Sequence, residues 1–189
     1  YWDSEIKHAQ EEGVADYPVF TRKAATDVCY LVCAEKLLNA GSNIYAQFAT
    51  HNAMTVASIL EMVGDRDDFE FQRLHGMGEL LYKVASQVAK RPLNVRVYGP
   101  CGSHEDLLPY LVRRLLENGA NSSFVNRFLD EAVPVEEVAH NPVALMKNVE
   151  PKRHPKIPLP KDIFGSDRLN AKGVDVSDNP SGEHSKDKD

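Results

Sequence analysis

Apolar residues recur at helical spacing in four stretches of the chain. The first covers residues 24–40, with Val28, Leu31, Val32 and Leu38 on one face and Gly41 as a stop. The second covers 53–63 and closes at Gly64, and the third covers 79–89, with Leu80, Leu81, Val84 and Val88 as its apolar face. The fourth opens on Ser103-His104-Glu105-Asp106, a sequence suited to a capping box, and ends at Gly119. Short β-rich runs separate them at 43–48, 69–74 and 94–98. Helices and strands alternating at this spacing predict βα units and a parallel sheet. No G-x-G-x-x-G follows any strand, since Gly76-Met77-Gly78 lacks the third glycine. Of the two parallel architectures, the pattern therefore favours a (β/α)₈ barrel over a doubly wound sheet. In either one, chemistry belongs just after each strand. Those segments are Thr50-His51-Asn52, Leu74-His75-Gly76-Met77-Gly78 and Tyr98-Gly99-Pro100-Cys101-Gly102.

Composition narrows the classes. The 189 residues are 42% hydrophobic with a net charge of −6, a globular and mildly acidic balance that excludes wholesale disorder. No basic run suggests nucleic acid as a partner of this segment, and no apolar stretch is long enough to span a bilayer. Three cysteines, an odd number, fit a reducing compartment better than a disulfide scaffold, and a cytoplasmic location is expected. Five of the 11 prolines lie in residues 151–189, which end in a polar run. The expected organisation is a folded region over 1–130, a linker with short helical and Pro-rich segments over 131–177, and a disordered tail over 178–189. The first residue is not Met, so an internal piece of a longer protein is expected.

The fourth helix is the most informative. Leu108, Leu111, Val112 and Leu115 make one apolar face, and Tyr110, Arg113, Arg114 and Glu117 repeat the same offsets on roughly the opposite one. A solvated face explains the second set. So does an anion clamp, because each guanidinium offers a planar fork that matches a carboxylate. His51 and His75 follow strands and serve equally as structural histidines or as ligands, but no zinc-ligand spacing accompanies them, so no metal is expected. Cys29 and Cys33, one turn apart in an apolar stripe, read as buried packing. Cys101 lacks a basic neighbour that would make it a nucleophile.

At these residues the chain resembles the C-terminal half of the proline dehydrogenase barrel of bacterial proline utilization A proteins. The matching blocks include Tyr1-Trp2-Asp3-Ser4-Glu5, Tyr17-Pro18-Val19-Phe20-Thr21-Arg22-Lys23, Gln47-Phe48-Ala49-Thr50-His51-Asn52 and Leu74-His75-Gly76-Met77-Gly78-Glu79. They continue through Tyr110-Leu111-Val112-Arg113-Arg114-Leu115-Leu116-Glu117 and Ser123-Phe124-Val125-Asn126-Arg127 to His154-Pro155-Lys156-Ile157-Pro158. Ser103, Cys101 and Leu80 depart from the usual threonine, valine and proline.

The resemblance implies a partial (β/α)₈ TIM-type barrel, its last three βα units preceded by one helix, that holds FAD. It implies oxidation of L-proline to pyrroline-5-carboxylate, with electrons passed to a quinone and peripheral contact with the inner membrane. Arg113 and Arg114 would bind the proline carboxylate, and Tyr1, Leu74, Tyr98 and Tyr110 would wall the ring pocket. Trp2, Thr21, Lys23, Thr50, His51 and Asn52 fall where the family contacts FAD. Glu117 would pair with the arginines or the cofactor edge. An upstream half-barrel, and in bifunctional members a downstream aldehyde dehydrogenase domain, would complete the parent, leaving this piece inactive alone. The competing reading is a non-catalytic α/β module whose Arg113/Arg114 face docks an anion or partner.

Overall fold

The computed structural model describes residues 2–119 and 141–173. Tyr1, the 123–127 block and the 178–189 tail lie outside them, and so does the side chain of Glu117. The chain divides into two compact units, Tyr1–Thr26 with Met146–Asp189, and Asp27–Leu145.

The second unit is built on a parallel sheet in the order β1 (Ala46–Ala49), β2 (Phe69–Leu74), β3 (Val95–Tyr98). Each strand is followed by a helix: α3 (Ala53–Val63), α4 (Glu79–Val88) and α5 (His104–Gly119). The elements labelled α1 (Trp2–Glu12) and α2 (Lys23–Asn39) precede β1. The parallel βα alternation read from the sequence is therefore present. β1 starts three residues later than expected because Gly41–Asn43 forms a 3₁₀ turn, with Gly41 at φ 63° and Ile44 N–H donating to Gly41 O at 3.4 Å.

Register explains the core. Ala46 pairs with Phe69 and Phe48 with Phe71, which places Phe48, Phe69 and Phe71 on one side of the sheet. The three rings meet at centroid separations of 5.5–6.3 Å, and the Tyr82 ring lies 5.4 Å from Phe71. Val56, Ile59 and Val63 of α3, Ala85 of α4, and Ala34 and Leu38 of α2 close over them. Phe71 and Ile59 are wholly buried, so truncating either to alanine would cost about 2–5 kcal/mol.

The apolar faces read from periodicity are only partly covered on three helices: Leu38 of α2 and Leu81 of α4 reach the core, and other members stay exposed. α4 turns Tyr82 and Ala85 inward and leaves Leu80, Val84 and Val88 exposed. On α2, Val32 is exposed, as are Cys29 and Cys33, which were expected to be buried. On α5, Leu108, Leu111 and Val112 are exposed as well. These helices carry apolar side chains on more than one side. On α4 the side that packs is the one whose Tyr82 ring and hydrogen bond fit the phenylalanine layer.

One helix goes beyond the sequence reading. α1 was not anticipated, although Ile6 and Ala9 are buried at helical spacing and Gly13 follows at φ 66°. A short helix, α6 (Pro142–Asn148), leads into the Pro-rich segment. That segment is bonded to the N-terminal residues. Arg153 forms a bidentate pair with Asp16, Tyr17 OH donates to Pro158 O at 2.8 Å, and Asn170 Nδ2 donates to Gln10 O at 2.7 Å.

Candidate active site

The C-terminal ends of the strands carry the segments singled out above. After β1, Thr50 N–H donates to Gln72 O at 3.3 Å, which holds the loop to β2. Asn52 caps α3, its Oδ1 accepting from Met54 N–H at 2.9 Å and Thr55 N–H at 3.4 Å. Thr50 Oγ1 accepts from Asn52 N–H at 3.1 Å. His51 Nε2 accepts from Leu74 N–H at 3.2 Å, so that nitrogen carries no proton and the neutral ring is protonated on Nδ1. The imidazole thereby ties the first loop to the end of β2.

The second loop is tight. Met77 N–H donates back to Leu74 O at 3.0 Å, and Gly76 and Gly78 sit at φ 80° and 70°. A Cβ on Gly78 would lie 2.8 Å from His51 Cδ2, so glycine is needed for both backbone and space. Tyr82, missed by sequence reading, donates its hydroxyl to Thr50 O at 2.6 Å, and burial pushes its pKa upward. Only the tertiary fold marks this tyrosine, since its neighbours on α4 are more apolar.

Leu74 and Tyr98 are register partners, and His75 N–H donates to Tyr98 O at 2.8 Å, so Leu74 and Tyr98 sit side by side. β3 then leads through Gly99–Gly102 into α5. Ser103 caps that helix, its Oγ accepting from Asp106 N–H at 3.4 Å and donating to Asp106 Oδ2 at 3.0 Å. The Arg114 guanidinium lies 5.7 Å from the Tyr110 ring centroid, a cation–π contact; Arg114 is half-buried and Arg113 exposed.

The first unit holds three more of the expected residues. Trp2 Nε1–H donates to Phe20 O at 2.8 Å, Thr21 Oγ1 accepts from His154 N–H at 2.9 Å, and Lys23 opens α2. Among the described residues no three His, Cys, Asp or Glu side chains are grouped to hold a metal, and no helix is long and apolar enough to cross a membrane.

Comparisons with known proteins give the family. The proline dehydrogenase family model matches residues 1–127. The bifunctional protein PutA of Klebsiella aerogenes is 53% identical over 94% of this chain, and that of Escherichia coli is 52% identical over the same share. This chain spans 14% of the length of each. Proline dehydrogenase 1 of Bacillus subtilis is 32% identical over 64% of the chain, which covers 38% of that protein. A crystal structure of proline utilization A from Bradyrhizobium japonicum superposes with a TM-score of 0.86 at 55% identity, covering 92% of this chain and 18% of that one. On the strength of the matched residues and of these strands and loops, the chain belongs to the proline dehydrogenase family.

Proposed function

We propose that this chain forms the last three βα units of a (β/α)₈ barrel that holds FAD and oxidises L-proline to pyrroline-5-carboxylate, with a quinone taking the electrons. The observation that carries the reading is the placement of Leu74 beside Tyr98 at the C-terminal end of a parallel sheet, with β3 leading directly into the helix of Tyr110, Arg113 and Arg114. This is the end of a βα array where substrates bind. Leu74, Tyr98 and Tyr110 offer an apolar wall for the pyrrolidine ring, and Tyr1 joins them by resemblance.

Adjacent arginines project about 100° apart on a helix, so Arg113 and Arg114 reach one carboxylate from two sides. Fixing the carboxylate orients the ring C–H, which is the protein's share of the reaction. FAD, when bound, supplies the hydride acceptor. The residues present fit that cofactor in one specific respect. Thr21 Oγ1, Thr50 Oγ1, His51 Nε2 and Asn52 Oδ1 each already accept a backbone N–H. Thr50 keeps its O–H and Asn52 its side-chain N–H groups as donors suited to phosphate and ribityl oxygens. Trp2, Lys23 and Glu117 complete the set by resemblance. The longer relatives support a bifunctional parent in the cytoplasm, and a quinone acceptor would require that parent to make peripheral membrane contact.

The test is Arg→Met at positions 113 and 114 in the full-length parent, with proline titrated against the flavin absorbance. Each loss removes a charge-assisted bond of about 1.5–3 kcal/mol, so proline affinity should fall by about one to two decades while flavin content holds. Arg→Lys should also weaken binding, because a point charge does not reproduce the fork. Unchanged dissociation constants in both Met variants would remove the assignment.

A further inference from the structure

Prolines at 151, 155, 158 and 160 stiffen the segment that follows α6, and Leu159, between two of them, is extended at φ −61° and ψ 152°. A chain preset in this way loses less entropy when it is laid against a neighbour. Its neighbour is the turn between α1 and α2. Arg22 Nη2 donates to Pro151 O at 3.1 Å, and Arg153 pairs with Asp16 through both guanidinium branches. His154 N–H donates to Thr21 Oγ1 at 2.9 Å, and Tyr17 O–H donates to Pro158 O at 2.8 Å. Ile157 packs against the buried cluster of Ile6, Ala9, Val14 and Tyr17. The turn residues 14–22 form no helix or strand of their own, so these contacts set their course.

We infer that residues 151–158 are a positioning element of the flavin site: they set the course of the turn that carries Thr21, and the His154 amide fixes the Thr21 hydroxyl. The inference rests on the reading that Thr21 contacts FAD. The element lies beyond residue 127, where the match to the family model ends, and it acts through Thr21 rather than by touching the cofactor. Thr21 is held on both sides and at its side chain. Phe20 O accepts from Trp2 Nε1–H at 2.8 Å, Arg22 reaches Pro151 O, and Thr21 Oγ1 accepts from His154 N–H. A threonine hydroxyl that accepts one hydrogen bond has its own hydrogen to donate, and the accepted bond polarises that O–H towards a ligand oxygen. Such coupling is reciprocal. If the segment places Thr21 for the cofactor, the bound cofactor holds the segment down, and loosening the segment loosens the cofactor.

Hydrogen exchange in the full-length parent, stripped of flavin and then reloaded with FAD, tests this. Mass spectrometry follows the peptide that carries His154, with residues 60–68, at the other end of the strands from the cofactor loops, as the reference. Loading should slow exchange at His154 about tenfold more than at the reference, the effect of one hydrogen bond to a ligand oxygen. Equal slowing in both peptides, or none at His154, overturns the inference. The reciprocal arm uses Asp16→Asn and Arg153→Gln, neither of which touches the cofactor. Each should speed release of FAD about two- to fivefold, and the exchanged pair, Asp16→Arg with Arg153→Asp, should return release to within about twofold of the unaltered protein. A segment that only holds the fold together would lower the melting temperature of the single variants and leave FAD release unchanged, which also overturns the inference. If those variants do not fold, the exchange comparison decides alone. If the unaltered parent holds no FAD at all, the functional reading falls and this inference with it.

Discussion

Four side-chain donors around one carboxylate, two on Arg96 and one each on Gln47 and Gln72, give Glu70 a signature in acid. Arg96 above all, then Gln72, holds its pKa at about 2 against an ordinary 4.5. A carboxyl whose pKa is depressed by folding stabilises the native state above its unfolded value, and that contribution is lost as pH falls through the folded value. The stability difference between the unaltered protein and Glu70→Gln should therefore be constant above about pH 5 and narrow as pH falls from 4.5 towards 2. Denaturant titrations at a series of pH values measure it, and a gap that does not change with pH would contradict the pairing. At this scale the sequence was uneven. Arg113 and Arg114 stood out because two adjacent cations on one helix face are conspicuous. Glu70 and Arg96 did not, since a polar residue in a strand of alternating type reads as solvent-facing until a neighbouring strand supplies its partner.

Among the elements, the segment after residue 150 is where composition was least informative. Its prolines and scarcity of aromatic residues suggest a linker, yet it is hydrogen-bonded to α1 and the loop that follows. Gly13 and Gly173 form the closest approach: Gly173 N–H donates to Gly13 O at 3.0 Å. A Cβ on Gly13 would lie 1.7 Å from Ala171 O, and one on Gly173 would lie 1.8 Å from Glu12 O. With Gly13 also at φ 66°, Gly13→Ala should cost about 2 kcal/mol or more and speed amide exchange across residues 160–173. Unchanged melting and exchange would show that the close approach is not made in solution. The Arg153–Asp16 pair beside it is exposed enough that its removal should cost less than about 1 kcal/mol.

For the whole molecule, the balance of exposed apolar surface is the telling feature. Leu80 and Val88 are each more than 70% exposed, and Leu108, Leu111 and Val112 line one side of α5 without cover among the described residues. Among the described residues the three parallel strands have two unpaired edges, an arrangement that natural sheets avoid by pairing or covering. The chain spans 14% of its PutA relatives, which agrees with a proposed barrel completed by other residues of the parent. The isolated 189 residues should accordingly self-associate and retain flavin weakly or not at all, as read by light scattering and by the yellow of the purified protein. Tight stoichiometric flavin in a monomer of this chain would refute the incomplete-barrel proposal.

Local chemistry in the sequence determined the order and type of the strands and of the helices between and after them. Gly41 and Gly64 stop helices, Asn52 and Ser103 cap them from within four residues, and 3.6- and 2-residue periods need no distant partner. Residues 53–63 and 69–74 fold as those periods dictate, to the residue. Strand register, and everything that depends on it, was decided only by tertiary structure. It brings Leu74 beside Tyr98, aims the Leu74 N–H at His51 and encloses Glu70 within reach of Arg96. Which apolar face of a helix packs was decided there too. A helix with two apolar sides satisfies its own periodicity either way, and only the shape of the sheet beneath distinguishes them.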